Sequence, residues 1–156
     1  MYLPLYNRWI TVIKEGDRWK CIRCGKCCRT YAVELNSEDL RELPSSEIEI
    51  LEDGRKRLKR KGDGSCIFYD AGRRECRIYE RRPDSCRTFP FSIITKETAE
   101  KIGIKFEENE LVSYRGRLFL LLFDELCTAL GNGDVIKRKK VVEECYRVAL
   151  KFGFRF

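Results

Sequence analysis

Four cysteines fall within eight residues, Cys21-Ile22-Arg23-Cys24-Gly25-Lys26-Cys27-Cys28, and four more follow at Cys66, Cys76, Cys86 and Cys127, each beside a turn signal or a short apolar run. Two thiolates two residues apart reach one ion from a single tight turn, whereas a thiol packed as a small hydrophobe needs no such spacing. These eight cysteines therefore read as metal ligands, and a chain patterned this way must fold so that distant sulfurs meet. The ninth, Cys145, falls in a helical apolar stripe and reads as core.

The chain, at 156 residues and 43% apolar, is about one domain long and carries enough apolar residues to fill a core. Nine cysteines, roughly 6% of the chain, are fewer than a disulfide scaffold uses, and the number is odd. Metal ligation is the better reading than cross-linking. Histidine is absent, which excludes every mixed Cys/His zinc site and every histidine general base. The first twenty residues hold six charges and no apolar stretch fit for a secretory signal, and Leu118 to Phe123 falls far short of the ~20 residues that cross a bilayer. A reducing cytoplasm, where thiols stay available to metals, is the expected compartment.

Charged residues make up 37% of the chain, a thermophile-like composition. The formal charge of +7 counts cysteines as neutral, and eight thiolates would more than cancel it before any metal charge is added. Net charge alone is thus a weak argument for nucleic acid. The basic run Arg55 to Lys61 keeps an RNA contact open, but reads first as a solvated strand or loop face. No motif indicates a protein partner.

Trp9 to Ile13 predicts a strand, and the turn Glu15-Gly16-Asp17 predicts a hairpin or ribbon with Arg18 to Lys20. Thr30 to Leu35 alternates as a strand; Asn36 or Ser37 caps a short helix that Pro44 stops. Turns at Gly62-Asp63-Gly64 and Ala71-Gly72 bring strands at Cys66 and Cys76 toward each other, and Pro83 suits the first turn of a helix carrying Cys86. Leu118 to Phe123 predicts a buried strand. A C-terminal helix over 134–152 is predicted to bury Val135, Val142, Cys145, Tyr146, Ala149 and Phe152.

Cys21-x-x-Cys24-Gly25-Lys26 has the form of a zinc knuckle, with the glycine accepting the strained conformation that turns backbone amides toward sulfur. Cys21, Cys24 and Cys27 equally repeat as in the cluster-binding run of bacterial ferredoxins, although no later cysteine is followed by proline. Adjacent Cys27 and Cys28 point to opposite sides if the backbone is extended, so one pair would serve two sites. A single cluster with spare thiols stays equally open. Arg81, Arg82 and Arg87 flank Cys86, either stabilising thiolates or pairing with carboxylates such as Asp84. Tyr79, Phe89 and Phe91 read as core around the metal, and Asp70, Glu80 and Asp84 as turn or cap residues.

The series Cys21-x-x-Cys24-Gly25-x-Cys27-Cys28, Gly64-Ser65-Cys66-Ile67-Phe68-Tyr69-Asp70 and Cys76-Arg77-Ile78-Tyr79-Glu80-Arg81-Arg82-Pro83-Asp84-Ser85-Cys86-Arg87-Thr88-Phe89-Pro90-Phe91 resembles the zinc- or iron-chelating cysteine-cluster family of the CxxCxxCC or YkgJ type. The resemblance covers roughly residues 20 to 133, with Leu126 to Gly133 similar to that family's closing motif. It implies metal chelation by these cysteines and no generally established reaction.

The expected fold is α+β: a small single domain, 1–156, of short strands and turns organised by cysteine-ligated metal over 20–133, with the C-terminal helix over 134–152. The expected property is binding of zinc or an iron-sulfur cluster. Two alternatives remain: an oxidoreductase or methyl-transfer accessory enzyme with an open cluster position, and a zinc-knuckle RNA-binding module with an exposed aromatic surface beside the basic run.

Overall fold

The computed structural model describes residues 1–4 and 7–156. In chain order its elements are β1 (Tyr2–Leu3), β2 (Arg8–Val12), β3 (Arg18–Trp19), α1 (Lys26–Thr30), α2 (Asp39–Glu42), β4 (Ile48–Ile50), β5 (Lys56–Leu58), β6 (Tyr69–Asp70), β7 (Glu75–Cys76) and α3 (Asp84–Thr88). There follow β8 (Phe91–Thr95), α4 (Lys96–Lys101), β9 (Leu111–Tyr114), β10 (Arg117–Asp124), β11 (Asp134–Val135) and α5 (Arg138–Lys151). The mixture of short helices and antiparallel strands is α+β, as expected. Two compact units hold these elements: Met1–Lys20 with Thr88–Phe156, and Cys21–Arg87.

In the first unit β10 is the central strand of a five-stranded sheet. Along one side it pairs with β8, from Phe119 opposite Thr95 to Phe123 opposite Phe91. Its other side is shared: β9 takes Arg117 to Leu120 and β2 takes Leu122 to Asp124. Side chains alternate across a strand, and here both faces are buried, so the expected strand reads as an unbroken apolar run. Phe119, Leu121 and Phe123 pack with Ile136, Val142 and Cys145, whereas Leu120 and Leu122 pack with Ile10, Ile94, Ala99 and Ile104. Thr95 caps α4, its hydroxyl accepting from the Thr98 N–H.

Two expectations for this unit change. β2 and β3 do not form a hairpin: β2 joins the large sheet, while β3 pairs with β11, Trp19 opposite Asp134. The final helix begins at Arg138 rather than 134, because Asp134 and Val135 are that partner strand. Val135 is accordingly exposed, and α5 buries Val142, Cys145 and Val148.

The second unit, roughly 67 residues, is of a size at which an apolar core supplies only a small margin of stability. It contains two small antiparallel pairs, β4 with β5 and β6 with β7, and the three short helices α1 to α3. Its core is Val33, Leu35, Leu58, Cys66, Phe68 and Tyr69, with Cys28, Cys76 and Cys86 packed against it. Thiols thus occupy positions where a larger domain would place leucine. The strand expected from Thr30 to Leu35 is only a single bridge, Glu34 to Arg57, since α1 ends at Thr30 and Asn36 already prepares α2. Asn36 Oδ1 accepts from the N–H groups of Glu38 and Asp39, the capping expected there.

Candidate metal centre

Gly25 stands just before α1 as its N-cap, and its φ of 73° lies in the left-handed region, as the knuckle pattern predicts. A second constraint was invisible in the sequence: a Cβ on Gly25 would lie 2.6 Å from the Tyr69 hydroxyl oxygen. The helix changes the expected geometry of the adjacent pair. Successive helical residues diverge by about 100° rather than facing opposite ways, so Cys27 and Cys28 are not set toward two separate sites. The Cys27 thiol is lowered to about 6, chiefly by hydrogen bonding from the Cys28 side chain, against the opposing effect of burial. Cys28 is raised for the same reason, then by burial and by the sulfurs of Cys27, Cys76 and Cys66. The two thiols therefore titrate as a coupled pair, whose first proton leaves more readily than that of an isolated thiol.

Cys66 and Cys76 follow the two turns the sequence predicts, but of the two expected strands only Cys76 lies in one, at the end of β7; Cys66 makes an isolated bridge to Arg60 and its strand begins at Tyr69. The Cys66 N–H donates to the Cys28 carbonyl at 2.7 Å, tying that turn to α1, while Cys76 lies opposite Tyr69 in the β6–β7 pair. Burial raises both thiols, and in each case the backbone N–H two residues on opposes it, Phe68 at Cys66 and Ile78 at Cys76. Amides directed at sulfur are what a thiolate site needs. Cys86 sits in α3, its N–H donating to the Pro83 carbonyl at 3.0 Å. Burial pushes its thiol well up, and the sulfurs of Cys66, Cys27 and Cys76 add to the effect. Cys27, Cys28, Cys66, Cys76 and Cys86, from four separate segments, are thus electrostatic neighbours.

Positive charge faces this group. Arg82 opposes the raised pKa of Cys76 and Cys86 and helps to lower Cys27. It is held by its Nε donating to the Tyr79 carbonyl at 2.9 Å and by its guanidinium lying 3.8 Å from the Tyr79 ring centroid. Arg87 takes the other role anticipated for it and pairs with Asp84 at 2.7 Å. The basic run also divides. Arg55 and Arg57 pair with Glu34, Asp53 and Glu49, whereas Arg60 and Lys61 donate to the carbonyls of Gly64 and Tyr69 and assist ionisation of Cys66. Within Cys21–Arg87 the aromatic rings are buried or half-buried, so the described residues of that unit present no exposed aromatic platform beside the basic run.

Asp84, 1% exposed, accepts from Asn36 Nδ2 at 2.9 Å, and its N–H donates to Asp39 Oδ1 at 3.1 Å. This network anchors α3 two residues before Cys86. Asp70 accepts from the Arg73 N–H, a turn role as expected. Phe91 is core of the first unit, but Tyr79 is no part of the core of its own unit; its ring meets the guanidiniums of Arg23 and Arg82.

Cys21 and Cys24 lie in the same unit just before α1, both half-buried. Cys127 belongs to the first unit, where the Trp19 indole N–H donates to its sulfur at 3.5 Å. The Leu126 to Gly133 segment is laid along β3: Leu130 bridges Trp19, and the Gly131 N–H donates to the Arg18 carbonyl at 2.7 Å. Cys145 is buried in that unit's core with its thiol pushed up to about 12, consistent with a packing role.

All nine cysteines are free thiols. Among the described residues no three Cys, Asp or Glu side chains already stand in one coordination sphere. The donor set nonetheless fits a soft or borderline metal: the converging groups are sulfurs, imidazole is absent, and Asp84, the carboxylate nearest Cys86 in the chain, is engaged by Asn36 and Arg87. Cysteines gathered into one small core define the class, a thiol-rich module.

The chain belongs to the CxxCxxCC family, described as "Putative zinc- or iron-chelating domain", whose model matches residues 20–114. Cys127 lies beyond the matched span. An uncharacterized protein of Methanocaldococcus jannaschii, MJ0661, is 32% identical over an alignment of 93 residues that covers 53% of this chain and 50% of that protein. The chain thus spans about half the length of this curated relative. No solved structure matches. Family membership supports metal binding in general, and no helix among the described residues is long and apolar enough to cross a membrane.

Proposed function

We propose that this protein binds zinc or an iron-sulfur centre through cysteine thiolates of the Cys21–Arg87 unit, and that the metal is what makes that unit stable. The observation that carries the reading is that Cys28, Cys66, Cys76 and Cys86 pack into one small core, with Cys27 next to Cys28 in α1 and with Arg82, Arg60 and Lys61 supplying positive charge around the group. Cys21 and Cys24 complete the proposed set within the unit, and Cys127 is its outlying candidate. A bound ion would supply the cross-link that the small core lacks. For a zinc site this amounts to about 10 to 16 kcal/mol, against about 5 to 15 kcal/mol for the whole stability of an ordinary domain.

The residues then have distinct parts. Burial favours the protonated form of Cys66, Cys76 and Cys86, so that a metal must displace their protons, whereas the Cys27–Cys28 pair releases its first proton more readily. The Phe68 and Ile78 amides and the Arg82 cation stabilise sulfur charge as it develops. Titration of the reduced chain with Co²⁺ tests this reading, because thiolate ligation gives intense charge-transfer absorption. Saturable absorption is expected, lost or weakened in Cys66→Ser and Cys86→Ser and unchanged in Cys145→Ser. Absorption that all three variants retain would remove the proposed ligand set.

A further inference from the structure

The turn that carries Cys21 and Cys24 is bound to its unit in an unusual way. No backbone N–H or carbonyl of Cys21 to Cys24 is hydrogen-bonded among the described residues, and Arg23, between the two cysteines, has a φ of 52°. The turn's visible attachment is through a side chain. The Arg23 guanidinium carbon lies 4.2 Å from the centroid of the Tyr79 ring, and the Arg82 guanidinium carbon lies 3.8 Å from the same centroid. Two like charges are thereby brought to one ring. That arrangement is favourable only because the π-face is negative and because Arg82 is fixed independently by its bond to the Tyr79 carbonyl.

Tyr79 itself is half-buried and packs with none of the unit's core residues. It falls between Cys76 and Cys86, so the ring stands on the segment that carries two of the converging sulfurs. We propose that the Arg23–Tyr79–Arg82 stack is a clip that closes the Cys21–Cys24 turn onto the other cysteines of its unit, making Tyr79 a positioning residue for metal capture. The inference rests on the metal-binding reading for its purpose, but the clip is a property of the metal-free chain and is measurable without metal.

In the reduced, metal-free full chain, alkylation by iodoacetamide is followed cysteine by cysteine by peptide mass mapping. Tyr79→Leu keeps apolar bulk and removes the ring face; Tyr79→Phe keeps the ring. Tyr79→Leu should speed alkylation of Cys21 and Cys24 about tenfold, leave Cys66 and Cys86 unchanged, and weaken zinc binding about tenfold in chelator competition. Tyr79→Phe should stay within about twofold of the native chain in both measurements. Arg23 is exposed, so Arg23→Gln keeps the fold whatever Tyr79→Leu does, and it should shift Cys21 and Cys24 the same way by about threefold. Equal effects of Leu and Phe, or unchanged rates in Arg23→Gln, would overturn the clip. A native chain that takes up no zinc would instead overturn the metal-binding reading and leave the alkylation comparison standing.

Discussion

Replacing Asp84 by Ala should unfold the cysteine-bearing unit selectively when metal is absent. The carboxylate is 1% exposed and accepts one buried bond from Asn36 Nδ2 at 2.9 Å and one from Arg87 at 2.7 Å. A buried bond to a charged group contributes about 1.5 to 3 kcal/mol, and its loss also strands the Asn36 amide, which is itself buried. Arg87 is 49% exposed, so its pair adds only about 0.5 to 1 kcal/mol. The sum is about 3 kcal/mol, a large share of what so small a unit has without metal. Both tryptophans, Trp9 and Trp19, belong to the other unit, so indole fluorescence would not report the change. Hydrogen exchange resolved by peptide does. In the metal-free variant, amides over 33–40 and 76–88 should exchange about a hundredfold faster than in the native chain, with β10 and α5 unchanged, and saturating zinc should restore most of the protection. Protection unchanged over those segments, or lost equally from β10, would refute the assignment of Asp84 as the anchor of α3.

Gly25→Ala should cost about 1 to 2 kcal/mol from the left-handed backbone alone. It adds the clash with Tyr69, so zinc affinity measured by chelator competition should fall together with stability. The buried Cys145 thiol gives a pH signature in the first unit. Its folded value of about 12 lies above the ordinary 9.0, so above pH 9 the unfolded chain releases this proton and the folded chain keeps it. Stability is therefore full below pH 9 and falls as pH rises toward 12, by at most about 4 kcal/mol, and denaturant titrations of Cys145→Ala should lack that slope. In a Trp9→Phe background, Trp19 emission should change on zinc addition if Cys127 is a ligand, since its indole N–H rests on that sulfur, and Cys127→Ala should abolish the change. Unchanged emission in the presence of bound zinc would remove Cys127 from the ligand set.

What was legible in the sequence was governed by short-range pattern. The unbroken run in β10, the turns at Gly64 and Ala71-Gly72, and the Pro83 start of α3 all follow from periodicity and turn chemistry, and the structure has them. What was not legible depended on partners far along the chain. Asp134 and Val135 match a helical stripe locally, yet β3 claims them as a strand. The Cys27-Cys28 pair has no local mark that separates helix from extended chain, and the choice reverses whether its sulfurs diverge. The run Arg55 to Lys61 looks uniform, whereas its first arginines pair with carboxylates and its last two residues serve the Cys66 turn. Amides aimed at sulfur were expected after Cys24; Cys66 and Cys76 have them from residues two positions on, an offset that a search for i to i+2 turns beside each cysteine would have raised.

Metal content bears most directly on the whole account. The full chain, purified without oxygen and without chelators, is assayed for zinc, iron and acid-labile sulfide per chain, with thiols counted before and after metal removal. The account predicts zinc or iron in a fixed ratio to protein, with Cys27, Cys28, Cys66, Cys76 and Cys86 shielded from alkylation until the metal is withdrawn. Protein that is folded over Cys21–Arg87 while free of metal, with those five thiols reacting at once or joined as disulfides, would contradict it.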